Sequence, residues 1–457
     1  MVEKGARSTF KYPFPVSSGI DKRRMYRLIE RFWKLNRSAV SPDTDLLVDY
    51  LCSELNARTV EAKSSAECLT WRVPKRWWVR KGQLRKKNGT IIADFADNPL
   101  HLWTHSISFV GEVKRDELIQ QHIYTDQKRP HEIPYHYRNG YKYEAREWGF
   151  SLSYQVVEKL ADSVYEVEID ADLDDEGSLK VVDAFLPGEL KDTIFIMAHT
   201  CHPALVSDGI ANIAIAVELY HYLSSLPKRR FSYRFIFGPE YFAAAVFLAN
   251  AESETIKNLT YGVFLDMLSS HEPIGFQHSM QGDSRMDKIV RNILASHVET
   301  FLERPFRGLW GNDEAFYNGP GFNIPTVGLG RGMHREYHYD TDNIENMNMY
   351  HMQESAWILS RIVEIFETDY VPLRRYNGPL YLSRFDLYVD PTKDHLGARN
   401  LDRIQVLMDG ERSCMDIAET MNTDFFLVLD LCDRMEEKRL IDKSPRLSRE
   451  RDQGTLV

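Results

Sequence analysis

A chain of 457 residues has length for about three domains at roughly 150 residues each, and its 43% hydrophobic and 27% charged residues exclude collagen-like, coiled-coil and wholly disordered classes. With 57 basic and 67 acidic side chains the net charge is −10, which favours solubility and disfavours whole-protein attraction to nucleic acid. Five cysteines, odd in number, widely spaced and without a CxxC pair, suit a reducing cytoplasm, and no run of about 18 apolar residues is present to span a membrane.

The opening MVEKGARSTFKYPFPVSSG carries positive charge with no apolar run behind it, so no secretory leader is expected. Met25, Leu28, Ile29, Phe32 and Trp33 fall at helical spacing, and Ser41-Pro42-Asp43 offers an N-cap with proline in the first turn of a second helix. From about Thr70 the texture changes to short aromatic runs between turns, WRVPKRWWVRKG, NGTIIADF and PLHLWTHSISFVGEV among them. These predict a β-rich module over 70–155. Eight basic residues between Arg72 and Lys87 interleave with Trp71, Trp77 and Trp78. The pattern superficially suits a nucleic-acid platform, but an amphipathic strand pair with its aromatics inward and its charges solvated is the better reading.

After Leu152 strand and helix alternate. SVYEVEIDADL, TIFIMAH, SYRFIFG, YGVFLDML and IPTVGL read as strands. GIANIAIAVELYHYLSSL, FAAAVFLAN, MDKIVRNILASHVE and a segment from Met347 to Phe366 read as helices. That alternation predicts a parallel α/β sheet covered by helices on both faces. Residues 372–391 look like a linker. The stretch from Leu401 to Ser444 reads as three short helices followed by a β-wing, a winged-helix pattern, and from Arg399 onward 10 basic and 13 acidic residues favour self-association or a protein partner over DNA.

In an open α/β sheet ligands sit beyond the carboxyl ends of the strands. TIFIMAH runs into His199-Thr200-Cys201-His202-Pro203, with Asp208 six residues past His202; RFIFG ends at Pro239-Glu240; YGVFLD ends at Asp266; and IPTVGL is followed by His334, His338, Asp340 and Asp342. Singly, a strand-end aspartate reads as a helix N-cap and a loop histidine as a surface or hydrogen-bonded group. Jointly, imidazoles and carboxylates at successive strand ends suit a catalytic zinc-type site and hydrolysis. Cys201 beside His202 invites a nucleophile reading, but neighbours in an extended chain point to opposite sides, and a small buried residue at a tight turn is preferred.

The order CHP-x4-D, strand-PE, FLDM, NDEAF with FNIPTVG, then EYH-x-DTDN, resembles the superfamily of zinc-dependent aminopeptidases that includes bacterial leucine aminopeptidases and glutaminyl cyclases. WRVPKRWWVR, NPLHLWTHSISF, IPYHYRNGY, EWGFSLS and the winged-helix tail resemble, more closely, a bacterial aminopeptidase-like group, so the likeness covers essentially the whole chain. It implies an aminopeptidase-like mixed sheet covered by helices, a catalytic domain of residues 1–69 and 156–385, an inserted β-rich domain over 70–155, and a winged-helix domain over 395–457. It also implies one or two Zn²⁺ ions bound by His202, Asp208, Glu240, Asp266 and His338, with Asp208 bridging. His199 is a second candidate for the first ligand, or a support behind it as Asp342 would be, and Asp340 or Asp342 would steady the second ring nitrogen of His338. Asp313 and Tyr337 are expected to contact substrate.

Where the superfamily has consecutive glutamates, this chain has Pro239-Glu240, so one carboxylate must bind metal or take the proton; Glu314 stands as a substitute base. Around the bridging aspartate, Ser207-Asp208-Gly209-Ile210-Ala211-Asn212 keeps only the Asp of the closer group's Asn-Asp-Asn-x-Ser-Gly. The resulting expectation is a zinc-dependent aminopeptidase or amidohydrolase acting on a peptide or small amide. The alternatives are an aminoacyl cyclotransferase like the glutaminyl cyclases, and a catalytically silent scaffold acting through the winged helix.

Overall fold

The structure, a computed structural model, describes residues 20–142 and 144–445; residues 1–19 and the last part of the expected winged helix, 446–457, lie outside the described residues. In chain order, helices α1 (Lys22–Phe32) and α2 (Pro42–Glu54) lead into strand β1 (Arg58–Lys63). Strands β2 (Arg76–Lys86), β3 (Ile91–Asp94), β4 (Phe109–Lys114), β5 (Val164–Asp174), β6 (Ser178–Leu186) and β7 (Thr193–His199) follow. Next come α3 (Ala211–Ser225), β8 (Ser232–Gly238), α4 (Phe242–Asn250), β9 (Leu259–Asp266), β10 (Ile274–Gln277), α5 (Arg285–His297), β11 (Leu302–Arg304), α6 (Glu314–Asn318) and β12 (Thr326–Arg331). The described chain closes with α7 (Met349–Thr368), β13 (Tyr370–Arg374), α8 (His395–Leu407), α9 (Cys414–Met421), α10 (Phe425–Glu437) and β14 (Ile441–Pro445).

Two units emerge, one holding residues 20–282 and 302–357 and the other 283–301 and 358–445. The first is built on an eight-stranded sheet in the order β1-β6-β8-β7-β9-β12-β10-β11. Its central strands β8, β7, β9 and β12 run parallel, whereas β1, β6 and β8 pair antiparallel on one side and β10 pairs antiparallel with β12 on the other. Strands β7, β8 and β12 are buried at every position, which is why each reads as an unbroken apolar run. Helix α4 closes a core with Leu179, Val181, Phe195, Met197 and Ile236, and α3, buried over most of its length, packs on β7 with α1 beyond it. Asp21 and Ser41 accept backbone N–H groups at the starts of α1 and α2, as the cap signals predict.

The mixed α/β sheet follows the resemblance, the parallel order read from the alternation holding only for its central strands, and one strand is reassigned. SVYEVEIDADL is not a strand of the main sheet; as β5 it is central in a separate four-stranded sheet, β3-β2-β5-β4. Tyr165, Val167, Ile169 and Ala171 of β5 point into a core with Trp77, Leu84 and Phe150, and the alternate residues face out. There Asp170 and Asp172 pair with Arg80, Glu168 lies 2.8 Å from Lys81 and 3.0 Å from Arg85, and Asp174 lies 2.7 Å from Arg76. The basic run is thus matched by a carboxylate on the neighbouring strand at one position after another. Of its adjacent tryptophans Trp77 is buried and Trp78 is exposed, because successive strand residues face opposite ways.

In the second unit, β13 and β14 pair antiparallel and accompany helices α5, α8, α9 and α10. Ser413 and Asp416 form a capping box at α9, and Asn292 of α5 donates to Thr423 O while accepting from Phe425 N. Among the described residues no helix is long and apolar enough to cross a membrane.

Registers within the parallel strands bring their carboxyl ends level, with His199 opposite Gly238 and Asp266 opposite Gly330. A Cβ at Gly330 would stand 2.3 Å from Asp266 O. Gly330→Ala is therefore expected to lower stability by about 1–3 kcal/mol, through overpacking, and to displace Asp266. Urea unfolding midpoints of the two proteins check this; equal midpoints would contradict it.

Candidate metal centre

Beyond β7 the chain makes a tight loop that the buried Arg37 ties down. Its guanidinium donates to Thr200 O (3.1 Å), His202 O (2.6 Å) and Leu205 O (2.7 Å), and also to Phe32 O and Trp33 O at the end of α1. His202 (φ 76°) and Ala204 (φ 53°) stand in the left-handed region, as do Tyr241, Met267 and His338, each at or next to a strand-end residue singled out by the sequence. Non-glycine residues adopt this region rarely and at functional sites more than elsewhere. Gly209 has φ 140°, and a Cβ there would stand 2.9 Å from Cys201 O, so the departure from the closer group's asparagine has a steric basis. Asp342 clasps the same turn from the late loop, its carboxylate accepting Ser207 N–H (2.7 Å) and Asp208 N–H (2.9 Å).

Asp208 is thereby placed between imidazoles. Its Oδ1 lies 3.3 Å from His199 Nε2 and its Oδ2 3.1 Å from His338 Nε2. His199 Nε2 is also 3.2 Å from Asp266 Oδ1, and His202 Nδ1 is 3.9 Å from Asp208 Oδ1. Among the described residues three donor groups result, each with its ligand atoms within 4.8 Å of one another: His199 with Cys201 and His202, and two that contain carboxylates, His199 with Asp208 and Asp266, and His202 with Asp208 and His338. Asp208 belongs to both of the latter.

Glu240 sits beside the group of His202, Asp208 and His338, its Oε2 3.9 Å from His202 Nε2. Asn312 Nδ2 donates to Oε1 and Tyr141 OH donates to Oε2, both at 2.9 Å. Burial pushes its pKa up to about 7. Glu314 faces away into its own cage, accepting Asn312 N–H on both oxygens and Gln277 Nε2 at 3.1 Å, so it fixes the loop from which Asn312 reaches Glu240. Asp313 is buried, with Oδ1 unpartnered, and burial together with the nearby Glu240 charge raises its pKa well above the usual carboxylate range. Tyr337 stacks on His338 with centroids 3.9 Å apart. Asp340 accepts Ile133 N–H and Asp342 holds the 207–208 backbone, so both carboxylates are engaged away from the His338 ring.

These residues suit a divalent metal. Asp208 Oδ2 and His338 Nε2 lie 3.1 Å apart, yet neither has a hydrogen-bond partner, as expected of atoms aimed at a common point rather than at each other. Burial opposes charge on Asp208, but His202, His199 and His338 outweigh it and hold the carboxyl well below its usual range. Asp266 is raised by burial, and the guanidinium of Arg37 is spent on carbonyls. Buried carboxylates set among imidazoles form the N/O donor set that zinc takes.

His202, Asp208, Asp266, His338 and Glu240 come together, joined by His199; Glu314 does not join them. Cys201 corrects the premise used for it. The left-handed His202 lets neighbouring side chains meet, with Cys201 Sγ 3.3 Å from His202 Nδ1 and 3.7 Å from His199 Nδ1. Burial nonetheless pushes the thiol pKa up, away from a nucleophilic thiolate. Arg37, Asn312 and Tyr141 carried no motif and are found only through their contacts.

The family described as Domain of unknown function (DUF4910) matches residues 26–369. A Clostridium acetobutylicum protein provisionally named as a polysaccharide biosynthesis protein with an aminopeptidase-like domain is 30% identical over 326 residues, 71% of this chain and 73% of its own. The crystal structure of a protein from Clostridium acetobutylicum, provisionally named a peptidase, superposes with TM-score 0.85 at 26% identity, covering 93% of this chain and 97% of that one. BSAP, a zinc aminopeptidase from Bacillus subtilis, shares the fold with TM-score 0.53 at 11% identity, covering 76% of this chain and 95% of that one.

Replacing Arg37 removes donors from five carbonyls at once, four of them in buried hydrogen bonds. Arg37→Met is expected to cost about 3 kcal/mol or more, and Arg37→Lys to recover little, since an ammonium has three donors and no planar fork. Urea unfolding measures both; a lysine variant as stable as wild type would show that the charge, not the array of donors, holds the loop.

Proposed function

The chain belongs to the family described as Domain of unknown function (DUF4910), with the aminopeptidase-like fold, and from that premise we propose that it is a zinc-dependent hydrolase cleaving a peptide or small amide. The observation that carries the reading is the pair of donor groups sharing Asp208. His199 and Asp266 complete one group and His202 and His338 the other, which gives His199 the role of a ligand. Zinc held by these donors supplies Lewis acidity, making water more acidic and polarising an amide carbonyl.

Glu240 is the proton carrier. Tyr141 and Asn312 hold its two oxygens, which fixes a carboxylate beside the donor groups where it can accept a proton and return it. It takes the proton of the attacking water as the new C–O bond forms, then gives it to the departing amine as the C–N bond breaks. Tyr337 and Asp313, flanking these residues, contact the substrate. The unpaired state of all five cysteines agrees with a reducing cytoplasm. Helices α8 to α10 with β14 would act, as a winged-helix module, in self-association or in binding another protein.

Wild-type protein prepared with zinc supplied is expected to carry two ions per chain by elemental analysis, and His338→Ala markedly less. If both carry equally little, the hydrolase reading fails. One ion per chain would keep cyclotransferase chemistry in play. Glu240→Gln separates base from ligand: it is expected to retain its zinc while losing activity on aminoacyl amides and dipeptides by about 10²–10⁴-fold. A variant that loses its zinc instead would make Glu240 a ligand.

A further inference from the structure

A cavity of about 170 Å³ adjoins the site through Tyr141, one of its lining residues, whose hydroxyl donates to Glu240. It is smaller than the roughly 300–1,000 Å³ of pockets that enclose a whole drug-sized ligand, so it suits one end of a small molecule whose other end lies at Glu240. Arg72, Lys75 and Lys142 are among its lining residues, and no acidic side chain is. Glu144 lies 3.4 Å from Arg72 and Asp175 3.7 Å from Lys75, both outside the lining and more than half exposed. The Arg72–Glu144 pair, exposed on both sides, is of the weak surface kind that exchanges for a better-placed anion.

Two buried polar side chains among the lining residues are unsatisfied. Asn139, 1% exposed, has no partner for either amide atom, and His105, 6% exposed, has none for Nε2. Buried polar groups are nearly always hydrogen-bonded, so unsatisfied ones in the wall of a cavity point to a ligand. Burial lowers the His105 pKa to about 4, leaving a neutral ring able to accept a hydrogen bond. Asn139 offers both a donor and an acceptor.

Resting on the hydrolase reading, we propose that this cavity seats the non-reacting end of the substrate, and that this end bears an anion with an adjacent N–H or O–H. A peptide C-terminus and a phosphate-bearing amine share that chemistry. Arg72 and Lys142 draw in the charge, Asn139 Nδ2 donates to it, and Asn139 Oδ1 and His105 Nε2 accept from the neighbouring group.

The test is calorimetric binding to full-length Glu240→Gln protein with zinc supplied, using alanylalanine, alanylalaninamide and alanyl-phosphoethanolamine. At least one anionic probe is expected to bind about tenfold tighter than the neutral amide, in line with one charge-assisted hydrogen bond, and the preferred probe identifies the source of the anion. Arg72→Ala with Lys142→Ala, both exposed positions, is expected to bring that ratio close to one. Equal binding of neutral and anionic probes, no binding of any probe, or a preference that survives the double substitution overturns the proposal. If the charge preference holds while zinc-supplied wild type hydrolyses none of the three, the anion seat stands and the hydrolase reading falls.

Discussion

Negative charge buried at the carboxyl ends of the parallel strands is the constraint on which the site depends. Asp208 and Asp266 are 2% and 5% exposed, with Glu240, Asp313 and Asp342 close by, and the buried guanidinium of Arg37 is spent on backbone carbonyls. Carboxylates in such a place are tolerated only if cations or hydrogen-bond donors answer them. Imidazoles answer Asp208, backbone N–H groups answer Asp342, and an amide with a phenol answers Glu240. The remaining demand falls where the ligand atoms of the two donor groups converge.

Distant parts of the chain meet that demand together. Arg37 belongs to the helical N-terminal segment yet holds the loop carrying His202; Asp342 belongs to the late loop yet holds the turn carrying Asp208. Tyr141 arrives from the segment between the strands of the second sheet and reaches Glu240. Tyr135 N donates to His338 O at 2.8 Å, and the ring of Tyr135 lies against both His202 and His338. The segment between α2 and β5 therefore does more than decorate the sheet: it supplies a wall of the site and the cavity beside it.

Much of this was legible in the sequence, for a physical reason. Parallel strands buried on both faces are written as apolar runs, so TIFIMAH, SYRFIFG and YGVFLD announce themselves, and the polar residues that follow them mark the strand ends. Strands whose apolar residues are interrupted by polar ones, as in RTVEAK and SLKVVDAFL, leave a weaker trace. Strands β1 and β6 were not anticipated, and β5 was assigned to the wrong sheet because alternation does not say which sheet a strand joins. At the site the residue types were readable but their orientations were not. Left-handed backbone at His202 overturns the expectation that Cys201 and His202 diverge, and only the fold shows that Glu314 steadies a loop while Asn312 beside it touches Glu240.

The functional proposal rests on the two donor groups that share Asp208 each holding zinc. Anomalous scattering at the zinc absorption edge, from crystals grown with zinc, tests it most directly. The account predicts zinc at both donor groups that share Asp208, the one with His199 and Asp266 and the one with His202 and His338. An absence of zinc at Asp208, or ions bound elsewhere with Asp208 unligated, would contradict it.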